Sequence, residues 1–357
     1  MQRATHERML ETLRGGWTDT TPPFAVPAGR YRDPAWLARE TPAFRLPRIV
    51  STSAALAKGA CVPVDVPGQS ALVVRDSDGT VRAFANSCRH RATRLVDAPS
   101  AVKAFVCPYH GWTYDLAGAL VHIPHAEAFP SCEHRDLRAV PVVERHGLVW
   151  LGADVDAFIG ELAPDLDALG FDAMTVWQTS RVTRRCNWKL VVEAFLDGYH
   201  IRVLHRDSIY RFFVDAASLA EPVGAHIRAV SARRALREAP ADLAAMDLHA
   251  LGTPSYVIFP ATIIICHPDF VSLIHLTPTA ADSTIVEHVM LVPAARTGDV
   301  EHWDKSWNLI DGGVIQREDL WACEQIQRGL DDELLFGSLE APIRWFHGTL
   351  ERAISSP

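Results

Sequence analysis

Two short motifs, each with one cysteine and one histidine, constrain the fold of this chain more than any other feature of its sequence. Cys88 and His90 form a C-x-H motif, and Cys107 and His110 form a C-x-x-H motif after the interval 91–106. Thiolate sulfur and imidazole nitrogen are ligands that proteins use for zinc and for iron–sulfur clusters. The sequence therefore predicts two loops that the fold must bring together around a metal centre.

The residues themselves leave two kinds of centre open. One zinc ion could take all four ligands, although zinc-binding motifs usually pair two cysteines in one segment and two histidines in another. A mixed-ligand [2Fe–2S] cluster has two cysteines on one iron and two histidines on the other, and the neutral imidazoles raise its reduction potential. Each motif here offers one ligand of each type, and Pro108, Gly111 and Trp112 are typical of a tight cluster-binding loop. This pattern favours the cluster over zinc.

A second set of candidate ligands lies at the end of the segment 187–205, whose apolar residues recur with the period of a helix. Iron(II) that activates O2 is usually held by two histidines and one carboxylate, which leaves other positions open. His200 and His205 are five positions apart, so an ideal helix would not place them on one face. We expect the helix to be broken or widened between them. The pair alone is weak evidence, since histidines also occur on helices that bind no metal.

Taken together, these motifs resemble the Rieske-type non-haem iron oxygenases, the family of the aromatic-ring-hydroxylating dioxygenase alpha subunits. The run N-W-K at 187–189 is part of the resemblance. Rieske proteins of respiratory and photosynthetic complexes carry another cysteine in each loop, where this chain has Thr93 and Tyr109. Ring-hydroxylating oxygenases often have glycine where this chain has Ala92. We expect that difference to change the local backbone without affecting the ligands.

The resemblance implies two cofactors in each chain, a Rieske-type [2Fe–2S] cluster and a mononuclear Fe(II). The cluster ligands that it implies are Cys88, His90, Cys107 and His110. The iron ligands that it implies are His200, His205 and Asp319. Asp319 lies in the run 318–330, which resembles the family pattern E-D-x-x-x-x-E-x-x-Q-x-G-L at the start of a late helix. Glu318 is the second candidate ligand. The alternative is that Glu318 is an exposed acid at a helix N-terminus, where the helix dipole favours negative charge.

Asp197 has an implied role between the two metal sites. In the family, the matching carboxylate contacts the iron-ligating histidine of its own subunit and a cluster-ligating histidine of the neighbouring subunit, here His200 and His110. A surface ion pair with Arg202 is the alternative. Ala194 replaces a frequent asparagine, and its side chain can make no hydrogen bond above the iron.

The resemblance also implies an α+β fold, with an all-β Rieske [2Fe–2S] domain and a helix-grip (START-like) α+β catalytic domain built on an antiparallel sheet. β-type alternation dominates from about Pro47 to Gly152, and the later β-branched runs predict an antiparallel meander. We expect an N-terminal segment at 1–45 that packs on the catalytic domain, the Rieske domain at 46–153 and the catalytic domain at 154–357.

The implied activity is that of the terminal oxygenase component of a multicomponent system. Such a protein uses O2 and electrons from a separate NAD(P)H-dependent reductase, directly or through a ferredoxin, to hydroxylate or oxidatively demethylate a small organic substrate. The chain has no Gly-rich dinucleotide motif, so the reductase is expected to be a separate protein. Its length resembles that of homotrimeric choline, betaine and carnitine monooxygenase-like members, which favours a homotrimer.

Three alternatives to this activity stay open. The first is an arene cis-dihydroxylating dioxygenase of the same family. The second is a Rieske electron-transfer or redox-sensing protein without oxygenase activity. The third is a binding module stabilised by zinc, in which the cysteines and histidines have a structural role.

Composition excludes several other classes. A net charge of −8 without a basic stripe gives no reason to expect binding to nucleic acid. The most apolar stretch, 256–266, is too short to cross a membrane, and the first residues lack the apolar core of a secretory signal, so we expect a cytoplasmic protein. Seven sparse cysteines, an odd number, do not suggest a disulfide framework.

Overall fold

The early β-type region and the later mixed region form separate units in the structure, a computed structural model that describes residues 1–132 and 134–355. One unit comprises Phe44–Ala157, and the other combines Met1–Ala43 with Phe158–Pro357. The strands in chain order are β1 (Phe24–Pro27), β2 (Arg48–Thr52), β3 (Ala60–Val66), β4 (Gln69–Arg75), β5 (Val81–Ala85), β6 (Ser100–Ala101), β7 (Phe105–Val106), β8 (Thr113–Tyr114), β9 (Leu120–His122), β10 (Val142–Arg145), β11 (Leu148–Leu151), β12 (Met174–Arg184), β13 (Phe213–Val223), β14 (His226–Arg233), β15 (Gly252–Ile258), β16 (Thr262–Cys266), β17 (Val271–Ala280), β18 (Ser283–Pro293) and β19 (Glu333–Phe336).

Helices are concentrated in the second unit. The α-helices are α1 (Arg3–Arg14), α2 (Gly29–Arg32), α3 (Pro34–Glu40), α4 (Val155–Ile159), α5 (Ala163–Asp167), α6 (Trp188–Leu196), α7 (Ile201–Leu204), α8 (Leu248–Leu251), α9 (Val300–Trp307), α10 (Leu320–Gly329) and α11 (Ala341–Ser355). A π-helix spans Asn308–Asp319. Short 3₁₀ turns span Thr41–Arg45, Ala126–Ala128, Gly160–Leu162, Phe171–Ala173, Tyr210–Phe212, Arg234–Arg237, Ala294–Arg296 and Ser338–Glu340.

The first unit is built from small antiparallel sheets with strand orders β5-β4-β3-β6, β10-β11-β2 and β7-β8-β9. The hairpin between β4 and β5 contains Gly79, whose φ of 93° lies in the region that favours glycine. An apolar core around Phe105 and Trp112 also buries Cys88 and Cys107. The fold therefore places both cysteine motifs at the same core.

The second unit contains one antiparallel sheet with the strand order β12-β18-β17-β16-β15-β14-β13. Strands β15 to β18 are neighbours both in sequence and in the sheet, which confirms the predicted meander. Between β12 and β13 the chain forms α6 and α7, and after β18 it forms α9, the π-helix and α10. In the described part of the chain, no helix has the length and apolar character needed to span a membrane.

The start of α6 is held by buried polar contacts that the N-W-K motif supplies. Asn187 caps the helix, because its Oδ1 accepts the backbone N–H of Lys189 at 3.0 Å. Glu40 accepts two hydrogen bonds, from Lys189 Nζ at 2.7 Å and from Trp188 Nε1 at 2.8 Å. The side chains of Lys189 and Glu40 are both 0% exposed. Since an unpaired buried charge costs several kcal/mol, this pair ties α6 firmly to α3.

A second buried cluster lies one turn further along α6. Glu193 Oε1 accepts a hydrogen bond from Tyr31 at 2.7 Å and lies 2.8 Å from His347 Nε2. Tyr31 belongs to α2 and His347 to α11, so three distant parts of the sequence meet at this carboxylate. The helix that leads to the two candidate iron-binding histidines is thus anchored at both of its first turns.

Candidate functional site

The first cysteine motif forms a tight loop after β5. The backbone N–H of Cys88 donates to the carbonyl of Thr93 at 2.8 Å, and the N–H of Ala92 donates to the carbonyl of Cys88 at 2.9 Å. Ala92 has a φ of 59°, in the left-handed region. The loop therefore keeps the conformation that glycine adopts freely, and the alanine bears the strain.

The second cysteine motif forms a matching loop between β7 and β8. The N–H of Cys107 donates to the carbonyl of Trp112 at 2.8 Å, and the N–H of Gly111 donates to the carbonyl of Cys107 at 3.0 Å. Burial raises the pKa of the Cys107 thiol, but the backbone N–H groups of Tyr109 and His110 outweigh this effect and lower the pKa. The loop thus favours the thiolate, the form that binds metal.

The four motif side chains converge at the loop tips. The ring centroids of His90 and His110 are 4.7 Å apart, and His90 stacks on Trp112 at 4.9 Å. Cys88 Sγ lies 3.4 Å from the hydroxyl of Tyr114. His90 Nδ1 is buried and makes no hydrogen bond to the described residues. An imidazole nitrogen left free in this way is ready to bind a metal.

The spacing of these side chains does not favour a single zinc ion. Ligand atoms of one tetrahedral zinc lie within about 4 Å of one another, given the usual zinc–ligand bond lengths. Among the residues that the structure describes, the one group of three or more potential ligand atoms within 4.8 Å of each other is His200, His205 and Asp319. The cysteine motifs are more widely spread, as ligands around a two-iron cluster would be.

His200 and His205 face each other through their Nε2 atoms, which are 3.1 Å apart. His200 Nδ1 lies 3.1 Å from Asp197 Oδ2, and His205 Nδ1 lies 2.6 Å from Glu318 Oε2. A carboxylate at Nδ1 accepts the ring N–H, so each ring presents the lone pair of Nε2. Two such lone pairs directed at one point are the donor set of a metal site.

Asp319 completes this donor set. Its Oδ1 lies 3.1 Å from His205 Nε2 and 3.6 Å from His200 Nε2. That oxygen is buried and has no hydrogen-bond partner among the described residues. Two imidazoles and one carboxylate are the ligands that Fe(II) takes in O2-activating enzymes. The residues therefore fit a mononuclear iron.

Glu318 lies on the other side of His205 and orients it. Ser208 Oγ donates to Glu318 Oε2 at 2.7 Å and so fixes the carboxylate. Burial lowers the pKa of His205, but Asp319 and Glu318 outweigh this effect and raise it. The site favours positive charge between these carboxylates. Glu318 was the second candidate ligand in the sequence analysis, and in the structure it contacts His205 Nδ1, on the other side of the ring from Asp319.

The expected break in the ligand helix occurs, but not between the histidines. α6 ends at Leu196, and the chain turns at Asp197, whose Oδ1 accepts the N–H of Tyr199 at 2.5 Å. His200 immediately precedes α7 and His205 immediately follows it. The expectation of a break between the histidines was wrong, because the side-chain turn of Asp197 ends the helix earlier.

Asp197 contacts His200, as the resemblance implied, and the alternative partner Arg202 pairs elsewhere. Arg202 Nη1 donates to Asp215 Oδ2 at 2.8 Å. Asp197 is half-buried, and the neighbouring Tyr199 and Val203 are 60% and 79% exposed. The turn that holds Asp197 is therefore open to the outside of this chain.

A cavity of about 220 Å³ opens beside the two histidines. Asp197, His200, His205 and Asp319 contribute to its wall, and Ala194 offers no hydrogen-bond donor there. Most of the remaining wall is apolar, formed by Phe195, Ile201, Ile209, Phe212, Phe213, Ile265, Phe270, Leu309, Ile310, Val314 and Ile315. The polar lining residues are Ser231, Arg233, Thr253, Ser255, His267 and Ser306. A small organic molecule with a largely apolar body fits such a wall.

Two matches to family models agree with this arrangement. Residues 171–356 match the model described as ring hydroxylating alpha subunit (catalytic domain), and residues 47–141 match the Rieske [2Fe-2S] domain. The fold and sites define the class of Rieske non-haem iron oxygenases. Because the first match covers more than half of the chain, the chain belongs to the ring-hydroxylating alpha subunit family. The predicted family, fold class and pair of cofactors are confirmed.

Curated relatives include both monooxygenases and dioxygenases. Chloroplastic choline monooxygenase from Beta vulgaris is 27% identical over 304 residues, which cover 78% of this chain and 66% of that protein. Chlorobenzene dioxygenase subunit alpha from Cupriavidus sp. (strain PS12) is 36% identical over 168 residues, which cover 42% of this chain and 37% of that protein. The chain thus spans less than two thirds of these relatives.

Solved structures show the same fold over nearly the whole chain. The quaternary ammonium Rieske monooxygenase CntA in complex with an inhibitor superposes with a TM-score of 0.78 at 18% identity, covering 92% of this chain and 95% of that one. Naphthalene 1,2-dioxygenase from Rhodococcus sp. bound to indole superposes with a TM-score of 0.76 at 20% identity, covering 99% of each chain. At these identities the likeness concerns the fold.

Proposed function

We propose that this protein is the terminal oxygenase component of a multicomponent Rieske oxygenase, which hydroxylates or oxidatively demethylates a small organic substrate. The observation that carries the proposal is the convergence of His200, His205 and Asp319 beside an apolar cavity. Iron bound there would supply the centre at which O2 is reduced and its oxygen inserted into the substrate. Electrons would come from a separate NAD(P)H-dependent reductase, directly or through a ferredoxin.

The geometry of the described residues supports the ligand sets that we propose. Cys88 and Cys107 would bind one iron of the cluster, and His90 and His110 the other. His200, His205 and Asp319 would bind the mononuclear iron. We also keep as proposals the domain limits 46–153 and 154–357, with the segment 1–45 belonging to the catalytic part.

Asp197 would connect the two sites across a subunit boundary. It contacts His200 within its own chain and would accept a hydrogen bond from His110 of a neighbouring chain. His110 is exposed, with Tyr109 beside it 55% exposed, and Tyr199 beside Asp197 is 60% exposed. Aromatic residues exposed around both half-sites are typical of a surface that another chain covers. We therefore propose a homotrimer in which each chain supplies Asp197 to the contact with one neighbour and His110 to the contact with the other.

The compartment is proposed from the cysteines. All seven are free. Free, mostly buried thiols without disulfide partners are characteristic of a reducing compartment, and we propose the cytoplasm.

Asp197→Ala tests the proposed electron route. We expect this variant to retain the cluster and the mononuclear iron, because Asp197 is not a ligand, but to lose turnover. Metal analysis, EPR of the reduced cluster and substrate-dependent O2 consumption measure these three properties. Asp215→Ala is the matched control, since it removes a nearby acid that pairs with Arg202 and should leave turnover unchanged. Normal turnover of Asp197→Ala would contradict the route.

The same metal analysis separates the alternatives. Iron confined to the cluster, with none at His200 and His205, would favour an electron-transfer or redox-sensing protein. Zinc without any cluster absorbance would favour a zinc-stabilised module.

An arene cis-dihydroxylating activity is the second candidate. The largely phenylalanine and aliphatic cavity wall favours it, as does the likeness to chlorobenzene dioxygenase subunit alpha. Mass spectrometry of the product formed under ¹⁸O2 distinguishes the two, because a dioxygenase incorporates both atoms and a monooxygenase one.

A further inference from the structure

A permanently charged cation, Arg233, lies in the largely apolar wall of the cavity. Arg233 is the last residue of β14 and pairs in register with Phe213 at the start of β13. Its guanidinium lies over the rings of Phe212 and Phe213, at 5.3 and 5.5 Å from their centroids. These contacts hold the planar group against the cavity wall, where it is partly shielded from water.

Arg233 has no carboxylate partner among the described residues. The guanidinium of Arg233 makes one hydrogen bond to the described residues, from Nη1 to Thr253 Oγ1 at 3.3 Å, although it has five N–H donors. Arg228 on the same strand shows the usual arrangement, because it pairs with Glu221 at 2.9 Å and with Asp165 at 3.3 Å. Arg233 therefore keeps most of its donors available to whatever enters the cavity.

No acid in the described cavity wall is available to neutralise Arg233, because both wall carboxylates are occupied at the metal site. The two carboxylates are those of Asp197 and Asp319, and these face His200 and His205. Partial burial lowers the pKa of Arg233, as expected for a cation without a compensating anion, yet a guanidinium stays protonated at neutral pH.

Neutral hydrogen-bonding side chains line the same cavity as the guanidinium, and one of them, Thr253, contacts it. Ser231 lies two residues before Arg233 on β14, and Thr253 pairs with Ser231 in register on β15, followed by Ser255. All three hydroxyl side chains line the cavity. A carboxylate accepts hydrogen bonds from both guanidinium and hydroxyl donors, so this corner of the wall is matched to an anion.

We propose that the substrate carries a carboxylate, or an equivalent planar anion, that Arg233 binds while an apolar body fills the phenylalanine-lined part of the cavity. This inference rests on the proposed oxygenase function and names its substrate class. The proposed substrate therefore differs from choline, which gives the Beta vulgaris relative its name and is a cation without a carboxylate. A zwitterion would be accepted only through its carboxylate.

Matched ligands test the proposal on the iron-loaded wild-type protein. Benzoate, benzamide and benzyltrimethylammonium share one ring and differ in charge, and acetate with acetamide and choline form a smaller set. Isothermal titration calorimetry should give at least about tenfold tighter binding for a carboxylate than for its amide in one set or both. Neither ammonium ion should bind measurably. Equal or tighter binding of the amide or ammonium ligands, or no carboxylate binding in either set, would overturn the proposal.

Variants of Arg233 test whether this residue causes the preference for carboxylates. Arg233→Gln should bring the carboxylate-to-amide ratio close to one, Arg233→Lys should retain part of it, and Arg237→Gln, an exposed arginine four residues later, should leave it unchanged. Iron content and melting temperature of each variant show whether it is folded. If Arg233→Gln folds and keeps the preference, Arg233 is not the anion-binding group. These binding results do not depend on turnover, so loss of oxygenase activity in the wild type would count against the proposed function alone.

Discussion

Replacing Glu40 by leucine should destabilise the catalytic unit strongly, because it leaves the Lys189 ammonium buried without a partner. Both side chains are 0% exposed, so water cannot replace the lost carboxylate. Breaking a buried ion pair by removing one member costs about 3–5 kcal/mol. Trp188 Nε1 loses its acceptor in the same variant, which adds roughly 1–3 kcal/mol. For a domain of this size, the melting temperature should fall by about 10 °C or more.

A double variant distinguishes this explanation from a simple packing defect. Glu40→Leu/Lys189→Met removes the ammonium as well, so it should be more stable than Glu40→Leu despite carrying one more substitution. Glu351→Gln is the control, because it breaks a pair with Arg30 whose carboxylate side chain is 51% exposed, and it should cost less than about 1 kcal/mol. Near-UV circular dichroism during heating at one scan rate gives all the melting temperatures. A loss below about 1 kcal/mol for Glu40→Leu, or a double variant less stable than the single one, would refute the reasoning.

Three further predictions concern single positions. Ala92→Gly should stabilise the cluster-binding unit by roughly 0.5–1 kcal/mol, because residue 92 has a φ of 59°, which glycine adopts without strain. Ala85→Gly in β5 is the control and should not stabilise the unit. Loss of cluster absorbance on heating measures the stability of both variants. Asp319→Ala should lose the mononuclear iron. Glu318→Gln should keep the iron, with an affinity about 10–100-fold weaker in chelator competition. The reverse pattern would mean that Glu318 is the ligand and Asp319 the orienting acid. Burial lowers the pKa of His226 from 6.5 to about 4, so protonation favours the unfolded state, and its contribution to stability is present above pH 6.5 and lost as the pH falls towards 4. At pH 5 this loss is about 2 kcal/mol, and a melting-temperature profile between pH 7 and 5 should be less steep in His226→Gln; an unchanged profile would exclude His226 as a cause.

The two cysteine–histidine motifs could be recognised from the sequence because the residues of each motif are close together in the chain. Cys88 with His90, and Cys107 with His110, lie within one turn of chain, so their spacing alone indicates a metal centre. The strands of the meander were accessible for a similar reason, since β-branched runs separated by turn signals define neighbours in an antiparallel sheet. Asp319 needed the family pattern, because nothing in its local sequence relates it to His200.

The groups that hold the site in place could not be predicted in this way. Glu40, Tyr31 and His347 reach α6 from segments far away in sequence, and no spacing rule connects them to Lys189 or Glu193. Their roles depend on how the helices pack against one another, and that packing is determined by the hydrophobic core as a whole. Arg233 is similar, because only the folded structure shows that it lines the cavity and that no acid among the described residues pairs with it.

The position of the helix break gives these distant contacts a role in the chemistry. α6 is held in place through Lys189 and Glu193 and ends at Leu196. The position of the next residue, Asp197, is therefore fixed by a helix that cannot shift. Asp197 and Glu318 then set the orientation of the two imidazoles through their Nδ1 atoms, from opposite parts of the chain. Neither histidine lies within a helix that could enforce its direction, and the carboxylates replace that constraint. Loss of the Glu40 contact should therefore lower iron affinity as well as stability, although Glu40 touches no ligand.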